Sequence, residues 1–87
     1  MNNLSSKEIK NKICKIENLI NKEMKISYIN FSYNFDIRCV KLEIKFINYY
    51  RISLNIDYNE FIKYDYLVLY LLIKKEIQNK YLNEIFY

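Results

Sequence analysis

The chain has 87 residues, a net charge of +4 and a hydrophobic content of 52%, with ten Tyr and five Phe. This length allows one domain with one modest core, and the hydrophobic content excludes an intrinsically disordered chain. The sequence contains no His and no Gly, which excludes histidine-based catalysis and glycine-rich phosphate loops. The small excess of basic residues suits an acidic protein surface or a nucleic acid as partner.

The first predicted element is an amphipathic helix from Ser5 to about Glu23. Ser5 and Glu8 have the spacing of a capping box, in which both side chains bond backbone amides at the helix start. An apolar stripe follows at helical spacing, formed by Ile9, Ile13, Ile16 and Ile20. Cys14 projects about 140° away from this stripe and is therefore expected to be exposed.

From Lys25 the hydrophobic period changes to two, which predicts three strands with one buried face. The inward residues of the first strand are Ile29, Phe31, Tyr33 and Phe35; those of the second are Val40, Leu42, Ile44 and Phe46; those of the third are Tyr50, Ile52, Leu54 and Ile56. The connections at 34–36 and 47–49 are short, which predicts an antiparallel meander. Without glycine, Asn34 and Asn48 are the candidates for a positive φ.

The uninterrupted apolar run Tyr66–Ile73 is predicted to be the centre of a C-terminal helix and the main core donor. It is too short to span a bilayer, which needs about 20 residues. Asp57 and Glu60 favour a short preceding helix over 58–64. One side of the main helix, with Tyr66, Leu69 and Ile73, is expected to pack on the sheet. The other side is expected to contact the first helix or a second copy in a homodimer, through Leu67, Val68 and Leu71. A bend or break is expected near Asn79.

These elements predict an α+β single domain over residues 1–87, in the order α-β-β-β-α. The expected architecture is a three-stranded antiparallel meander with two helices packed on one face. Residues 1–7 are polar and no apolar segment follows them, so no signal peptide and a cytoplasmic location are expected. The two cysteines are expected to be reduced there.

The sequence shows no pattern of catalytic or metal-ligating residues. Its acidic residues are scattered, and Cys14 and Cys39 lack the spacing of metal ligands. We therefore expect no enzymatic activity, no cofactor and no metal. We interpret Cys14 as an incidental surface cysteine. The alternative is that Cys14, near Lys7 and Lys15, is a reactive thiol.

The open face of the predicted sheet carries most of the candidate binding residues. Tyr and Arg are enriched at binding hot spots, and basic sheets with aromatics can also stack single-stranded nucleic acid. The predicted partner-binding residues are Tyr28, Lys41, Lys45, Tyr49, Tyr50 and Arg51. A solvated face without a partner is the simpler alternative, since an antiparallel meander needs one wet face.

The element order resembles that of the double-stranded-RNA-binding domain, which implies a small basic nucleic-acid-binding regulator as an alternative function. That family reads RNA with a loop containing Gly, Pro and His and with lysines at the start of its last helix. Here the loop at 34–36 has none of these residues. The C-terminal helical region opens instead with Asp57, Glu60 and Asp65.

The abundance of Ile, Lys, Asn and Tyr, with no Gly, Pro or Ala, indicates an AT-rich genome of a low-GC bacterium or its phage. In size, composition and element order the chain resembles small phage-encoded inhibitors of bacterial immunity, above all the anti-CRISPR proteins. The resemblance implies a non-enzymatic inhibitor that binds a bacterial effector protein or ribonucleoprotein stoichiometrically in the host cytoplasm. It includes no shared motif, so it assigns no role to any residue.

Overall fold

The computed structural model describes residues 6–47, 50–81 and 85–87 of the chain. Its elements are α1 (Ser6–Glu23), β1 (Ile26–Asn34), β2 (Cys39–Phe46), β3 (Arg51–Asp57), α2 (Tyr58–Lys63) and α3 (Tyr66–Tyr81). The predicted α+β class and the antiparallel meander are confirmed, and so is the short helix before the main C-terminal one. The predicted cap at Ser5 and the predicted turn residue Asn48 lie outside the described residues.

The three strands form one antiparallel sheet in the order β1-β2-β3, so that β2 is paired along both edges. The register places Leu42 between Phe31 and Leu54. Ile44 likewise lies between Ile29 and Ile52, so the apolar residues of all three strands share one face. This inner face packs under the helices, because residues of α1, α2 and α3 belong to the same core cluster.

The turn between β1 and β2 differs from the prediction in two details. Asn34 accepts a hydrogen bond from the Asp36 amide at 3.0 Å through its side chain, and the residue with positive φ is Arg38, at 52°. Phe35 was expected on the buried face but is 81% exposed. The strand ends at Asn34, so the alternation that would have turned Phe35 inward stops one residue before it.

A side-chain cap starts α2 and links it to the sheet. Asp57, the last residue of β3, accepts hydrogen bonds from the Asn59 amide at 2.9 Å and the Glu60 amide at 3.4 Å. Phe61 on α2 is fully buried, and its carbonyl accepts a hydrogen bond from Lys12 of α1. Burial of the ammonium group lowers the pKa of Lys12. The cap and this bond fix α2 between the sheet and α1.

Helix α3 has one buried and one exposed side. Leu69, Tyr70, Ile73 and Ile77 are buried, as expected for the side that faces the core. Leu67, Val68 and Leu71 are exposed, so within one chain they neither join the core nor cover α1. The expected contact with α1 is made instead from the Tyr70 side of the helix. The helix also continues past Asn79 to Tyr81, without the expected break.

Three polar groups join the end of α1 to the middle of α3. The Tyr70 hydroxyl donates a hydrogen bond to the Glu23 carboxylate, and Lys74 Nζ lies 3.0 Å from the other carboxylate oxygen. The hydrogen bonds from Tyr70 and Lys74 lower the pKa of Glu23. Burial, followed by the bond to Glu23, raises the pKa of Tyr70.

The last described residues return to the junction between α1 and β1. The Lys25 amide donates to the Ile85 carbonyl at 2.8 Å, and the Tyr87 amide donates to the Glu23 carbonyl at 3.0 Å. Phe86 forms an isolated antiparallel bridge with Met24. Ile85 and Met24 are fully buried. This return was not predicted, and it makes the end of the chain part of the core.

Replacing Ile85 by Ala should lower the free energy of unfolding by about 2–4 kcal/mol, because it removes buried methyl groups and leaves a cavity. Chemical denaturation at neutral pH measures the loss. Ile37→Ala is the matched control: Ile37 is 53% exposed in the β1–β2 turn, so its loss should be within about 0.5 kcal/mol. Equal losses at the two positions would show that the C-terminal return is not formed in solution.

Tyr70→Phe should lower the free energy of unfolding at pH 7 by about 1 kcal/mol, a modest value because the Glu23 carboxylate is partly exposed. Glu23 has its pKa lowered in the folded state. The ionised Glu23 carboxylate therefore contributes fully to the free energy of unfolding at pH values above its pKa in the unfolded state. This contribution is lost as the pH falls through the pKa of Glu23 in the folded state. The difference between wild type and Tyr70→Phe should accordingly shrink on acidification.

Urea unfolding from pH 7 down to the acid transition measures this difference. Tyr28→Phe, which changes an exposed tyrosine on the sheet, should leave the profile of the wild type unchanged. A constant difference between wild type and Tyr70→Phe at every pH would contradict the assigned role of the Tyr70–Glu23 bond.

Candidate functional site

The outward residues of the sheet form an open polar face that no described helix covers. In the register Lys45 lies between Tyr28 and Arg51, Lys41 between Ser32 and Asn55, and Glu43 between Asn30 and Ser53. These are the alternate residues of strands whose other face is the core, so their direction follows from the period of two. Burial of the apolar side of the sheet therefore turns these alternate polar residues towards solvent.

One end of this face contains a shallow depression of about 450 Å³. Its polar lining consists of Tyr28, Lys41, Glu43, Lys45, Arg51 and Ser53. The β1–β2 register shifts between Ile26 and Tyr28, which places an irregularity beside the depression. Such irregularities increase the local twist of a strand and re-aim its side chains. The Tyr28 ring, 53% exposed, stands at the rim.

The lining contains three cations and one carboxylate, which gives it a net charge of +2. Lys41 Nζ lies 3.3 Å from the Glu43 carboxylate on the same strand. Lys45 and Arg51, by contrast, are direct cross-strand neighbours with the same sign of charge. Like charges placed directly opposite each other on a sheet are destabilising. Two neighbouring cations, Lys45 and Arg51, therefore lie at this end of the open face.

The structure brings together four of the six residues that we predicted to bind a partner: Tyr28, Lys41, Lys45 and Arg51. Tyr50 lies just before β3 and is partly exposed, and its carbonyl accepts a hydrogen bond from the Phe46 amide at 2.8 Å. Tyr49 lies outside the described residues. The role of these residues in binding stays a prediction.

A second exposed surface lies on α3, where Leu67, Val68 and Leu71 are joined by Leu72. The sequence analysis did not include Leu72. A signal was available, because Leu72 follows Val68 by four residues and so lies on the same side of the helix.

An apolar groove of about 560 Å³ lies between the start of α1 and the far end of the sheet. Its aromatic lining includes Tyr33, whose ring centroid is 4.6 Å from that of Phe35 and 5.3 Å from that of Tyr58, both edge-on. Sequence reasoning missed this cluster because Phe35 was expected in the core. None of the described residues that line the groove is Asp, Glu, His, Lys or Cys.

Metal-ligating and thiol groups are not assembled in the part of the chain that the structure describes. Within it, no three residues of the types His, Cys, Asp and Glu lie close enough to hold a metal ion. Cys14 is exposed, as expected, and Cys39 is half-buried; neither forms a disulfide. None of the described helices is both long and apolar enough to cross a membrane.

Comparison of the chain with protein-family models, curated proteins and solved structures finds no match.

The Lys45–Arg51 pair predicts an unusual response to charge reversal. Lys45→Glu places an acid opposite Arg51 and should raise the free energy of unfolding by about 0.2–1 kcal/mol. Lys41→Glu makes the same change in net charge but breaks the ion pair with Glu43, so it should lower the free energy of unfolding by at most about 1 kcal/mol. Thermal unfolding at low salt measures both, and equal shifts would contradict the cross-strand charge arrangement.

Proposed function

We propose that the protein is a non-enzymatic binding protein that contacts an acidic macromolecular partner with the open face of its sheet. The finer proposal is a phage or mobile-element inhibitor of a bacterial immune CRISPR-Cas nuclease complex, acting by stoichiometric binding in the host cytoplasm. The observation that carries the proposal is the Lys45–Arg51 pair beside Tyr28 on a face that folding leaves open.

The pair places two like charges opposite each other on neighbouring strands. An acid at position 45 would gain an attraction to Arg51 in place of a repulsion. A local arrangement that lowers stability is typical of functional sites, where a sequence departs from what folding favours. An acidic partner would add negative charge beside both cations and so favour them in the complex.

The depression lies on an ordered part of the backbone, which also suits binding. Lys41, Glu43 and Lys45 lie on β2, which is hydrogen-bonded on both edges. A side chain on such a strand is presented by a backbone that needs no ordering when a partner arrives, which reduces the entropic cost of association. Tyr28 and Arg51 add the residue types most often found at hot spots.

The nature of the target rests on the resemblance in size, composition and element order to anti-CRISPR proteins. A nuclease complex offers acidic protein surfaces and guide-RNA phosphates, and both suit a lining with a net charge of +2. Blocking requires only that the bound protein occupy a groove or restrain a moving part. No catalytic group is needed for this mechanism.

Direct binding of nucleic acid is the second candidate, favoured by the combination of Tyr28 with cations on a sheet. Base stacking on aromatic side chains is worth about 1–3 kcal/mol per base, and Tyr28 is the single aromatic residue in the described lining of the depression. A protein or ribonucleoprotein partner is therefore favoured. Affinity for a single-stranded oligonucleotide at increasing salt separates the two candidates, because phosphate contacts produce a steep loss of affinity.

Reversing all three cations of the depression should weaken inhibition of a reconstituted CRISPR-Cas nuclease at least about tenfold, since each hot-spot residue contributes more than about 1 kcal/mol. The variant combines Lys41→Glu, Lys45→Glu and Arg51→Glu. Its thermal stability should stay close to that of the wild type, because all three side chains lie on the polar face. Titrating inhibitor against nuclease in a DNA-cleavage assay measures both potency and stoichiometry.

The matched control reverses three exposed lysines of α1 and changes the net charge equally: Lys7→Glu, Lys10→Glu and Lys22→Glu. It should inhibit like the wild type. Equal loss of potency in both variants would indicate a non-specific charge effect. Complete inhibition at a small fraction of the nuclease concentration would contradict stoichiometric binding.

A further inference from the structure

Helix α3 carries a continuous apolar surface that the described chain leaves exposed. Leu67, Val68, Leu71 and Leu72 are 41–59% exposed. Residues at i, i+1, i+4 and i+5 lie together on one side of a helix, so the four side chains form one stripe over two turns. We call this surface the α3 stripe.

Single exposed aliphatic residues are ordinary on protein surfaces, but a contiguous group of four is not. The α3 stripe presents a few hundred Å² of apolar surface, the size of the largest patch on a typical monomer, and such patches are often interaction sites. A chain of 87 residues also has limited means to bury all its apolar surface alone.

We propose that two copies of the chain associate through the α3 stripe, with the two helices antiparallel about a twofold axis. The stripe is centred between residues 69 and 70, so antiparallel packing places Leu67 opposite the partner copy's Leu72 and Val68 opposite its Leu71. A twofold interface needs a self-complementary surface, and this pairing provides one from a single stripe.

The charges at the two ends of the α3 stripe favour a second copy of the chain as the partner and an antiparallel orientation of the two helices. Asp65 precedes the stripe, where it also interacts electrostatically with Lys12 of α1, and Lys75 follows the stripe; both Asp65 and Lys75 are exposed. In the antiparallel pair Lys75 of one copy comes within one helical rise, about 1.5 Å along the axis, of the level of Asp65 on the other. A parallel pair would instead bring Lys75 onto Lys75 and Asp65 onto Asp65.

The expected interface is small. Stable interfaces bury about 800 Å² per partner, and the stripe supplies the apolar centre of an interface at the lower end of this range. We expect a dissociation constant in the micromolar range for a small interface of this kind. The open sheet face lies on the other side of the sheet from the helices, so the dimer leaves two such faces accessible and can bind a repeated partner bivalently.

Sedimentation at concentrations from about 1 μM to several hundred μM tests the proposal across the expected dissociation range. The wild type should pass from monomer to dimer. Leu71→Glu, and independently Leu67→Glu, should raise the dissociation constant at least about 100-fold, because a twofold interface carries each substitution twice. Both variants should stay folded by circular dichroism, since both side chains are exposed in the single chain.

Ile37→Glu is the matched control, because Ile37 has a similar exposure of 53% but lies in the β1–β2 turn; its dissociation constant should equal that of the wild type. A wild type that stays monomeric throughout, or a dimer that survives both leucine substitutions, would overturn the proposal. Lys75→Glu tests the orientation: an antiparallel dimer should weaken several-fold, because position 75 then presents an acid near Asp65 of the other copy. An unchanged dissociation constant would contradict the antiparallel arrangement, since a parallel pair merely exchanges one like-charge contact at position 75 for another.

Discussion

The structure depends on the burial of one side of β2. Val40, Leu42, Ile44 and Phe46 are all buried, while the residues between them point to the opposite face. Because β2 is the middle strand, its apolar side lies at the centre of the core on which α1, α2 and α3 pack. The side chains of β1 and β3 take their directions from the register with this strand. A shift of one residue would exchange core and surface in the whole sheet.

Burial of only one side of the sheet also separates the residues that form the core from those that are proposed to bind a partner. Side chains on the open face contribute little to the core, so their identity can be set by a partner. Lys45 lies opposite Arg51, and like charges placed opposite each other on a sheet are destabilising. The proposed acidic partner would offset this repulsion in the complex. The α3 stripe is a second surface of this kind, on the helical side of the domain. The molecule therefore offers two surfaces of different chemistry, a cationic one and an aliphatic one.

Patterns within single elements could be predicted from the sequence, because period and capping are local properties. The isoleucines of α1, the alternation of β2 and the Asp57 cap are of this kind, and they were enough to place Tyr28, Lys41, Lys45 and Arg51 on one face. Features that depend on distant parts of the chain could not be predicted.

The backbone pairing of Ile85 and Phe86 with the α1–β1 junction has no periodic signature. Which side of α3 is covered depends on where α1 packs. Phe35 is exposed because the turn begins one residue earlier than the alternation suggested.

The central claim is that burial of one side of β2 determines the fold. An alanine scan of β2 from Val40 to Lys45 tests this claim most directly, with the free energy of unfolding as the readout. We expect strict alternation: losses of about 1–5 kcal/mol at Val40, Leu42 and Ile44, and changes within about 0.5–1 kcal/mol at Lys41, Glu43 and Lys45. Comparable losses at the two sets would contradict the division of this strand into a buried side, which stabilises the fold, and an open side, which contributes little to stability.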